Sequence, residues 1–315
     1  MISFGIDIGG TFTKIIVINK KGRVLKSDTV KTPIKLCAKD FLIFLSDIIK
    51  LWCKELKIKK SVVGIGIAGD TDYKKGILRF APNIPWNNLK IAKGLKKLTG
   101  FKTFVSNDAN MATFGIYKKE FKNCRNIIAL TLGTGIGGGI IIDGKLYQGS
   151  TGTAGEFGHT KIIDTKKGNL CACGARGCLE SLIGTNNLKK LTLEGVKKNQ
   201  KSILASLIKK EGFSVKLLSL AAEKQDLSAL EIWHFFGTCL GTSLANLVLI
   251  FNPEVIVLSG GVSGGAKYFL PSLKKVLREE KIKEPFKNLK ISISKTKNIG
   301  ALGAALYALN EEDEK

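Results

Sequence analysis

Short apolar runs separated by glycine-rich turns dominate the first thirty residues. Apolar residues alternate with small ones over positions 2–6 and fill 15–18, and a third run follows from Val24 to Val30. Runs of this length between turn residues are typical of β-strands. The pattern therefore predicts three consecutive strands, the first two joined by the turn Asp7-Ile8-Gly9-Gly10-Thr11.

The same pattern returns near the middle of the chain. An apolar run at 127–132 leads into Gly133-Thr134-Gly135, and further apolar residues at 140–142 precede a short strand at 145–147. Two glycine hairpins of one design predict a duplicated fold, and we expect a nucleotide cleft between its halves.

Helical and extended patterns alternate in the remainder of the chain. Leu42, Leu45 and Ile49 recur at three- and four-residue steps and predict a helix over 36–56. His234 stands between Trp233 and Phe235 in another apolar helical stretch and is expected in the core. Strands interleaved with helices indicate an α/β protein. The other predicted helices cover 108–118, 230–251 and 299–309, and the other predicted strands cover 62–68, 103–105 and 255–258.

Length and composition fit a soluble protein of two domains. The chain has 315 residues, of which 44% are hydrophobic and 24% charged. This length exceeds that of a typical domain with a single hydrophobic core, so two domains are expected. The first residues already form a predicted strand, which leaves no room for a signal peptide. The longest apolar region, 240–251, falls short of the about 18 residues that a bilayer span needs. We expect a cytoplasmic protein without membrane contact.

The formal net charge of +24 raises the question of nucleic-acid binding. Only 5 of the 50 basic residues are arginine, and the lysines are scattered as pairs such as Lys59-Lys60 and Lys96-Lys97. Dispersed lysines are typical of a solvated surface, so we expect no nucleic-acid partner.

One loop gathers a histidine, three cysteines and two carboxylates between residues 156 and 180. Cys171, Cys173 and Cys178 lie on a tight knuckle, and His159 supplies a fourth ligand of the kind that zinc prefers. Four protein ligands leave no open position, so we expect a structural zinc ion. If one imidazole nitrogen of His159 binds the metal, the other holds a fixed proton that can be donated to a substrate.

The glycine turns have the composition of phosphate-binding loops. Asp7 ends a strand beside Gly9 and Gly10, whose N–H groups can approach a phosphate, and its carboxylate can hold Mg²⁺ through water. Alone this turn is an ordinary hairpin, but a second turn at 133–135 favours a polyphosphate held from two sides. A third glycine cluster, 260–265, suits an adenine ring lying against the backbone, although a simple strand-to-helix turn explains it equally well.

Asn107 and Asp108 stand where a predicted strand passes into a helix. A carboxylate at a strand end can accept a proton from an attacking hydroxyl, as phosphoryl transfer requires. Capping of the helix by either residue is the competing explanation.

Taken in order, these motifs resemble the ROK family of bacterial sugar kinases. The resemblance is carried by Asp7-Ile-Gly-Gly-Thr, Asn107-Asp-Ala-Asn, Leu132-Gly-Thr-Gly-Ile-Gly-Gly-Gly, Gly155-Glu-Phe-Gly-His and Cys171-x-Cys-Gly-x-x-Gly-Cys-x-Glu180. It spans nearly the whole chain.

This resemblance implies an actin-like ATPase fold, a ribonuclease H-like duplication in two α/β domains with a nucleotide and sugar cleft between them. The smaller domain is expected at 1–117 with 300–315, and the larger, with the zinc loop, at 118–299. Asp108 is implied as the base that deprotonates the sugar 6-hydroxyl. The implied sugar contacts are Gly69, Asn83, Asn107, Asp108, Glu156, His159 and Glu180, and the implied ATP and Mg²⁺ contacts are Asp7, Gly9, Gly10, Thr11, Lys14, Gly133, Thr134, Gly135, Gly260 and Gly261.

The implied activity is ATP-dependent phosphorylation of a hexose, with glucose as the first acceptor. Kinases of N-acetylhexosamine or mannose, and a glucokinase that uses polyphosphate, are alternatives within this class. A sugar sensor related to the family's repressors is a remote alternative, because those carry a DNA-binding domain ahead of the kinase-like part and here the first turn begins at Asp7. Family analogy implies a homodimer or homotetramer.

Overall fold

The structure, a computed structural model, describes residues 1–314 as an α/β fold of strands and helices in alternation. Two 3₁₀ turns cover Phe157–His159 and Gly261–Gly265. The strands are β1 (Ile2–Ile8), β2 (Phe12–Asn19), β3 (Val24–Lys31), β4 (Ser61–Ile67), β5 (Asp70–Asp72), β6 (Ile77–Phe80), β7 (Lys102–Asn107), β8 (Ile127–Leu132), β9 (Ile136–Ile142), β10 (Lys145–Tyr147), β11 (Val255–Ser259) and β12 (Lys290–Ile293). The helices are α1 (Ala38–Glu55), α2 (Ile91–Thr99), α3 (Asp108–Glu120), α4 (Leu179–Ile183), α5 (Thr185–Lys198), α6 (Ile203–Glu211), α7 (Val215–Glu223), α8 (Leu227–Phe251), α9 (Ala266–Glu279), α10 (Glu284–Lys287) and α11 (Ile299–Asp313).

Two five-stranded sheets repeat one topology. The first has the order β3-β2-β1-β4-β7 and the second the order β10-β9-β8-β11-β12. In the first sheet, β1 is antiparallel to β2 and parallel to β4, and β4 is parallel to β7. In the second, β11 runs parallel to β8 and to β12. The predicted α/β duplication built on two glycine hairpins is confirmed.

Contacts group the described residues into two compact units. The first contains Met1–Arg125, Gly139–Gly155 and the segment from Lys295 onward, and the second contains Asn126–Gly138 and Glu156–Ser294. Contact grouping thus assigns 139–155 to the first unit, whereas the expected limits placed it in the larger domain. The domain limits 1–117 with 300–315 and 118–299 stay a prediction.

The sheet of the first unit has an apolar layer on each face. On one face, Phe4 and Ile6 of β1 pack with Phe41 and Leu45 of α1. On the other face, helix α11 lies so close that a Cβ added to Gly64 of β4 would stand 1.8 Å from the backbone oxygen of Ala304. Alternation of side chains in a strand assigns one set of residues to each face, and glycine on the second face lets the helix backbone touch the sheet.

Helix α8 is the longest apolar element of the second unit. It has 25 residues and is long and apolar enough to cross a membrane by length and composition, contrary to the expectation that no segment is. In the structure 56% of its most apolar window is buried, with Trp233 and Phe236 packed against Phe269 of α9. His234 is exposed, so its expected core position is wrong. It lies beside the buried stripe of the helix, and apolar sequence neighbours do not reveal which side of a helix a residue occupies.

Replacing Gly64 tests the helix-to-sheet contact. We expect Gly64→Ala to lower the free energy of unfolding by about 1–3 kcal/mol or more, because the new methyl must displace the backbone of α11. Denaturant unfolding measures the change. The control is Gly264→Ala, whose added Cβ would meet nothing within 4 Å; equal stability of the two variants would contradict the packing described.

Candidate functional site

Three parallel strands of the first unit end at one edge of its sheet. Asp7 of β1 is in register with Gly66 of β4, and Ile67 of β4 is in register with Asn107 of β7. Because the carboxyl ends of parallel strands meet at one edge, Asp7 and the residues that follow β7 come together there. A Cβ added to Gly66 would stand 3.3 Å from the Cα of Asp108, so the start of α3 lies directly over β4.

Asp7 and Asp108 form an interacting pair of carboxyl groups. Burial, followed by the negative charge of Asp108, raises the pKa of Asp7 to about 6, while Lys14 opposes the shift. Lys14 is the cross-strand partner of Asp7 on β2. Burial also raises the pKa of Asp108, against hydrogen bonds from backbone N–H groups including that of Ala109. Raised carboxyl pKa values beside one another are typical of proton-transfer and metal-binding sites.

Asn107, and not Asp108, caps helix α3. Its side-chain oxygen accepts from the N–H groups of Ala109 at 2.8 Å and Asn110 at 3.3 Å, and its amide nitrogen donates to the Gly69 oxygen at 3.2 Å. The capping alternative is therefore correct for Asn107 and leaves Asp108 in the first turn without that role. The carboxamide has one N–H left for a ligand.

The first glycine turn packs against the loop that carries Asn83. A Cβ added to Gly10 would stand 3.0 Å from the Cβ and from the oxygen of Asn83, so these two predicted site residues are neighbours. The N–H of Gly9 donates to the oxygen of Phe12 at 3.0 Å and closes the turn. Thr11 is exposed, and its oxygen accepts from the N–H of Thr32.

The second glycine turn is held by Glu180. The carboxylate oxygen Oε2 of Glu180 accepts from the N–H of Ile136 at 2.9 Å, and a Cβ on Gly135 would stand 2.4 Å from that oxygen. A Cβ on Gly133 would meet nothing within 4 Å, and Thr134 is exposed. One side of this turn is thus fixed by a carboxylate, and the other is open to a ligand.

The third glycine cluster has two different residues at its start. Gly260 has a φ of 91°, and a Cβ there would stand 2.4 Å from the oxygen of Leu132, so chain packing explains this glycine. A Cβ on Gly261 would meet nothing within 4 Å. Of the two predicted adenine contacts, only Gly261 has an open approach.

His159, Cys171, Cys173 and Cys178 bring their ligand atoms within 4.8 Å of one another. The Sγ atoms of Cys173 and Cys178 are 3.8 Å apart, and Cys171 Sγ lies 3.7 Å from Nδ1 of His159. A tetrahedral ion with Zn–S bonds of about 2.3 Å requires sulfur–sulfur separations of about 3.8 Å. The residues therefore fit zinc, which would hold the knuckle closed.

Both carboxylates of the loop lie beside this cysteine cluster. Nε2 of His159 points away from the thiols and lies 3.9 Å from Oε2 of Glu156. Oε1 of Glu180 lies 3.7 Å from Cys171 Sγ while Oε2 holds the second glycine turn. Glu180 thus joins the metal-binding knuckle to the glycine turn.

Sequence reasoning missed Lys161. Its Nζ lies 2.7 Å from Cys178 Sγ and 3.1 Å from the His159 oxygen. The hydrogen bond to the Cys178 sulfur raises the pKa of Lys161. An ammonium group here offsets the negative charge of three thiolates around a divalent ion. The isolated bridge that pairs Lys161 with Cys178 is a tertiary feature that ligand spacing does not reveal.

The model of the ROK family matches residues 3–311. The chain belongs to the ROK family. It is 35% identical over 283 residues to a glucokinase of Thermotoga maritima, with 87% of this chain and 86% of that protein covered. It is also 32% identical to a xylose repressor of Caldicellulosiruptor bescii, covering 93% of this chain and 74% of the repressor.

Solved structures of the family share the fold. A ROK family glucokinase from Streptomyces griseus, in complex with glucose and AMPPNP, superposes with a TM-score of 0.81 at 30% identity, covering 98% of this chain and all of that one. A ROK hexokinase from Thermus thermophilus has a TM-score of 0.81 at 27% identity over the whole of both chains. The predicted actin-like ATPase fold is confirmed.

Metal analysis tests the cysteine cluster. We expect the purified protein to contain about one zinc ion per chain, and Cys173→Ser to lose it, because three remaining ligands bind zinc far more weakly than four. Elemental analysis measures the content. Cys37→Ser, at an exposed cysteine outside the cluster, should keep the metal. Zinc-free wild-type protein would contradict the assignment.

With zinc removed, sugar affinity should fall more than nucleotide affinity.

Replacing Asp7 tests the raised pKa through stability. A carboxyl group whose pKa is raised in the folded state stabilises the protein while protonated, and this contribution is lost as the pH rises through about 6. We therefore expect Asp7→Asn, relative to wild type, to gain several degrees in Tm between pH 4 and pH 7 without Mg²⁺. Calorimetry at both pH values measures this. Asp47→Asn, at an exposed helix position, is the control; a gain independent of pH would count against the assigned pKa.

Proposed function

We propose that the chain transfers the γ-phosphoryl group of ATP to the 6-hydroxyl of a hexose, with glucose as the principal acceptor. The main support is Asp108, a partly buried carboxyl group directly after β7, in the first turn of a helix that is capped by Asn107. Similarity to glucokinases over most of the chain supports the same activity.

In this reaction Asp108 acts as the general base. It accepts the proton of the 6-hydroxyl as the sugar oxygen attacks the γ-phosphorus, and the bond to the β,γ-bridging oxygen breaks so that ADP leaves with the electron pair. Burial raises the pKa of Asp108, which makes its carboxylate a stronger base than that of an exposed aspartate.

Asp7 has the placement of a magnesium ligand. A divalent ion held there would relieve the repulsion between Asp7 and Asp108 and would offset negative charge on the transferred phosphoryl group. We assign the phosphates to the two glycine turns at Gly9, Gly10, Gly133 and Gly135, with Thr11, Lys14 and Thr134 beside them, and the adenine to Gly260 and Gly261.

The sugar hydroxyls are assigned to carboxylates, carboxamides and one imidazole, because each of these groups exchanges directional hydrogen bonds with a polyol. His159 carries its Nε2 on the side away from the cysteines, next to Glu156, where it can donate to a hydroxyl. Zinc held by His159, Cys171, Cys173 and Cys178 would fix the orientation of this ring. The remaining assigned sugar contacts are Gly69, Asn83, Asn107 and Glu180.

Replacing Asp108 tests the base. We expect Asp108→Asn to keep sugar binding and to lower kcat by about 10²–10⁴-fold, because asparagine has the same shape and accepts no proton. A coupled ADP-release assay measures kcat, and calorimetry measures glucose affinity. Asp40→Asn, another acidic residue in the first turn of a helix, should retain full activity. Near-normal turnover by Asp108→Asn would refute the assignment.

A sugar-sensing role is the second candidate, because a xylose repressor is among the relatives. A sensor binds sugar without turnover, so the ADP-release assay over a panel of hexoses and N-acetylhexosamines separates the two functions. Formation of the sugar phosphate, measured with ATP and separately with polyphosphate, identifies the phosphoryl donor. We assign the protein to the cytoplasm.

We further propose self-association through the C-terminal end of α8. Leu249 and Ile250 are 41% and 69% exposed there, and burial of such residues stabilises association by the hydrophobic effect. We expect a dimer or tetramer by light scattering and a shift toward monomer in Ile250→Glu. Leu227→Glu, at an equally exposed apolar residue at the other end of the helix, should leave the mass unchanged. A monomeric wild type would exclude the proposal.

A further inference from the structure

A cavity lies in the first unit, at the opposite end of β7 from Asp108. Its volume is about 400 Å³, within the range of small-molecule sites. Thr103 and Phe104, near the start of β7, line this cavity, whereas Asn107 ends the strand and Asp108 follows it. The other lining residues are Tyr73, Lys74, Lys75, Gly76, Ala92, Lys102, Tyr307 and Glu311.

The charge around this cavity favours an anion. Lys102 is paired with Glu312 at 2.7 Å, and Lys75 lies 3.9 Å from Asp72. Within residues 1–314 no carboxylate lies in ion-pair range of Lys74. Glu311 lines the cavity as well and adds one carboxylate to it. Three ammonium groups and one carboxylate therefore line the cavity, and this excess of positive charge favours a dianion.

Aromatic rings and hydroxyls complete the lining. Lys102 Nζ stands 5.2 Å from the ring centre of Phe104, and Lys74 Nζ stands 5.8 Å from that of Tyr73. The Phe104 and Tyr307 rings meet edge to face at 6.5 Å. Flat apolar surfaces beside hydroxyl and ammonium groups suit a ligand that joins a carbon ring to a phosphate.

We propose that this cavity binds a phosphomonoester of a small polyol, such as a sugar phosphate. We also propose that its binding changes the affinity for glucose at the other end of β7, where Asp108 lies. This goes beyond the proposed activity, because none of its lining residues is assigned to the sugar or ATP.

A buried hydrogen-bond chain leads from the cavity to Ser106, two residues before the proposed base Asp108. Gln148 Nε2 donates to the Tyr307 hydroxyl at 3.3 Å, and Ser106 Oγ donates to Gln148 Oε1 at 2.6 Å. Ser106 and Gln148 are 0% and 6% exposed. Ser106 immediately precedes Asn107 and Asp108 on the chain. A ligand that reorients the Tyr307 hydroxyl changes a network that ends next to the helix cap and the base.

Calorimetry tests binding, with glucose 6-phosphate and inorganic phosphate as probes and with saturating glucose and AMPPNP present to fill the active site. We expect saturable binding of the sugar phosphate, tighter than that of inorganic phosphate, and at least tenfold weaker binding to the double variant Lys74→Glu/Lys75→Glu. The control is Lys59→Glu/Lys60→Glu, another exposed lysine pair. Equal binding to all three proteins, equal affinity for the two probes, or no binding to wild type would overturn the proposal.

The hydrogen-bond chain is tested by glucose affinity with and without glucose 6-phosphate, and the variant Lys74→Glu/Lys75→Glu measures the part of the change that comes from direct competition at the acceptor site. We expect the phosphate to change the glucose Kd of wild type several-fold. Tyr307→Phe, which keeps the ring and loses the hydroxyl, should bind the phosphate but lose this effect. An unchanged effect in Tyr307→Phe would refute the route. Absence of ADP release would count against the proposed kinase activity alone, because the Lys74/Lys75 comparison measures binding without turnover.

Discussion

Close backbone packing of helix α11 positions the elements that carry the carboxylates of Asp7 and Asp108. A Cβ on Gly64 would stand 1.8 Å from the oxygen of Ala304, and a Cβ on Gly303 would stand 1.8 Å from the oxygen of Met111. The same helix therefore touches β4 of the sheet and α3, which begins at Asp108. At its start, a Cβ on Gly300 would stand 2.6 Å from the carboxylate of Asp7. Side chains larger than hydrogen at these positions would separate elements that carry the two acids.

In the second unit, Glu180 has the corresponding role. One of its oxygens accepts from the N–H of Ile136 at 2.9 Å, and the other lies 3.7 Å from Cys171 Sγ. A carboxylate shared between a glycine turn and a cysteine knuckle makes the position of each depend on the other. Loss of metal would therefore loosen the turn as well as the knuckle, which is a physical reason for a structural ion in this unit.

The sequence was sufficient to predict elements that depend on local pattern. The glycine hairpins, the strands near 62–68 and 255–258 and the helix at Asp108 were all anticipated, because periodicity and turn residues specify them. Interactions between distant residues were not. Whether Asn107 or Asp108 caps α3 depends on side-chain rotation, and the contact of Lys161 with Cys178 depends on a tertiary bridge. His234 was misplaced because its apolar neighbours Trp233 and Phe235 dominated the prediction, although Glu231, Thr238 and Thr242 recur at three- and four-residue steps on its side of the helix and mark that side as polar.

The pair of acids also explains why a stable fold keeps an unfavourable interaction. Burial of Asp7 disfavours its ionised form, and the negative charge of Asp108 disfavours that form further. The positive charge of Lys14 offsets only part of these two effects. A carboxylate exposed to solvent would be stable but weakly basic and indifferent to a cation. Confined beside a second acid, it would gain affinity for a divalent ion, because the ion would relieve the repulsion. The repulsion between the two acids would thus be a source of the free energy that favours cation binding.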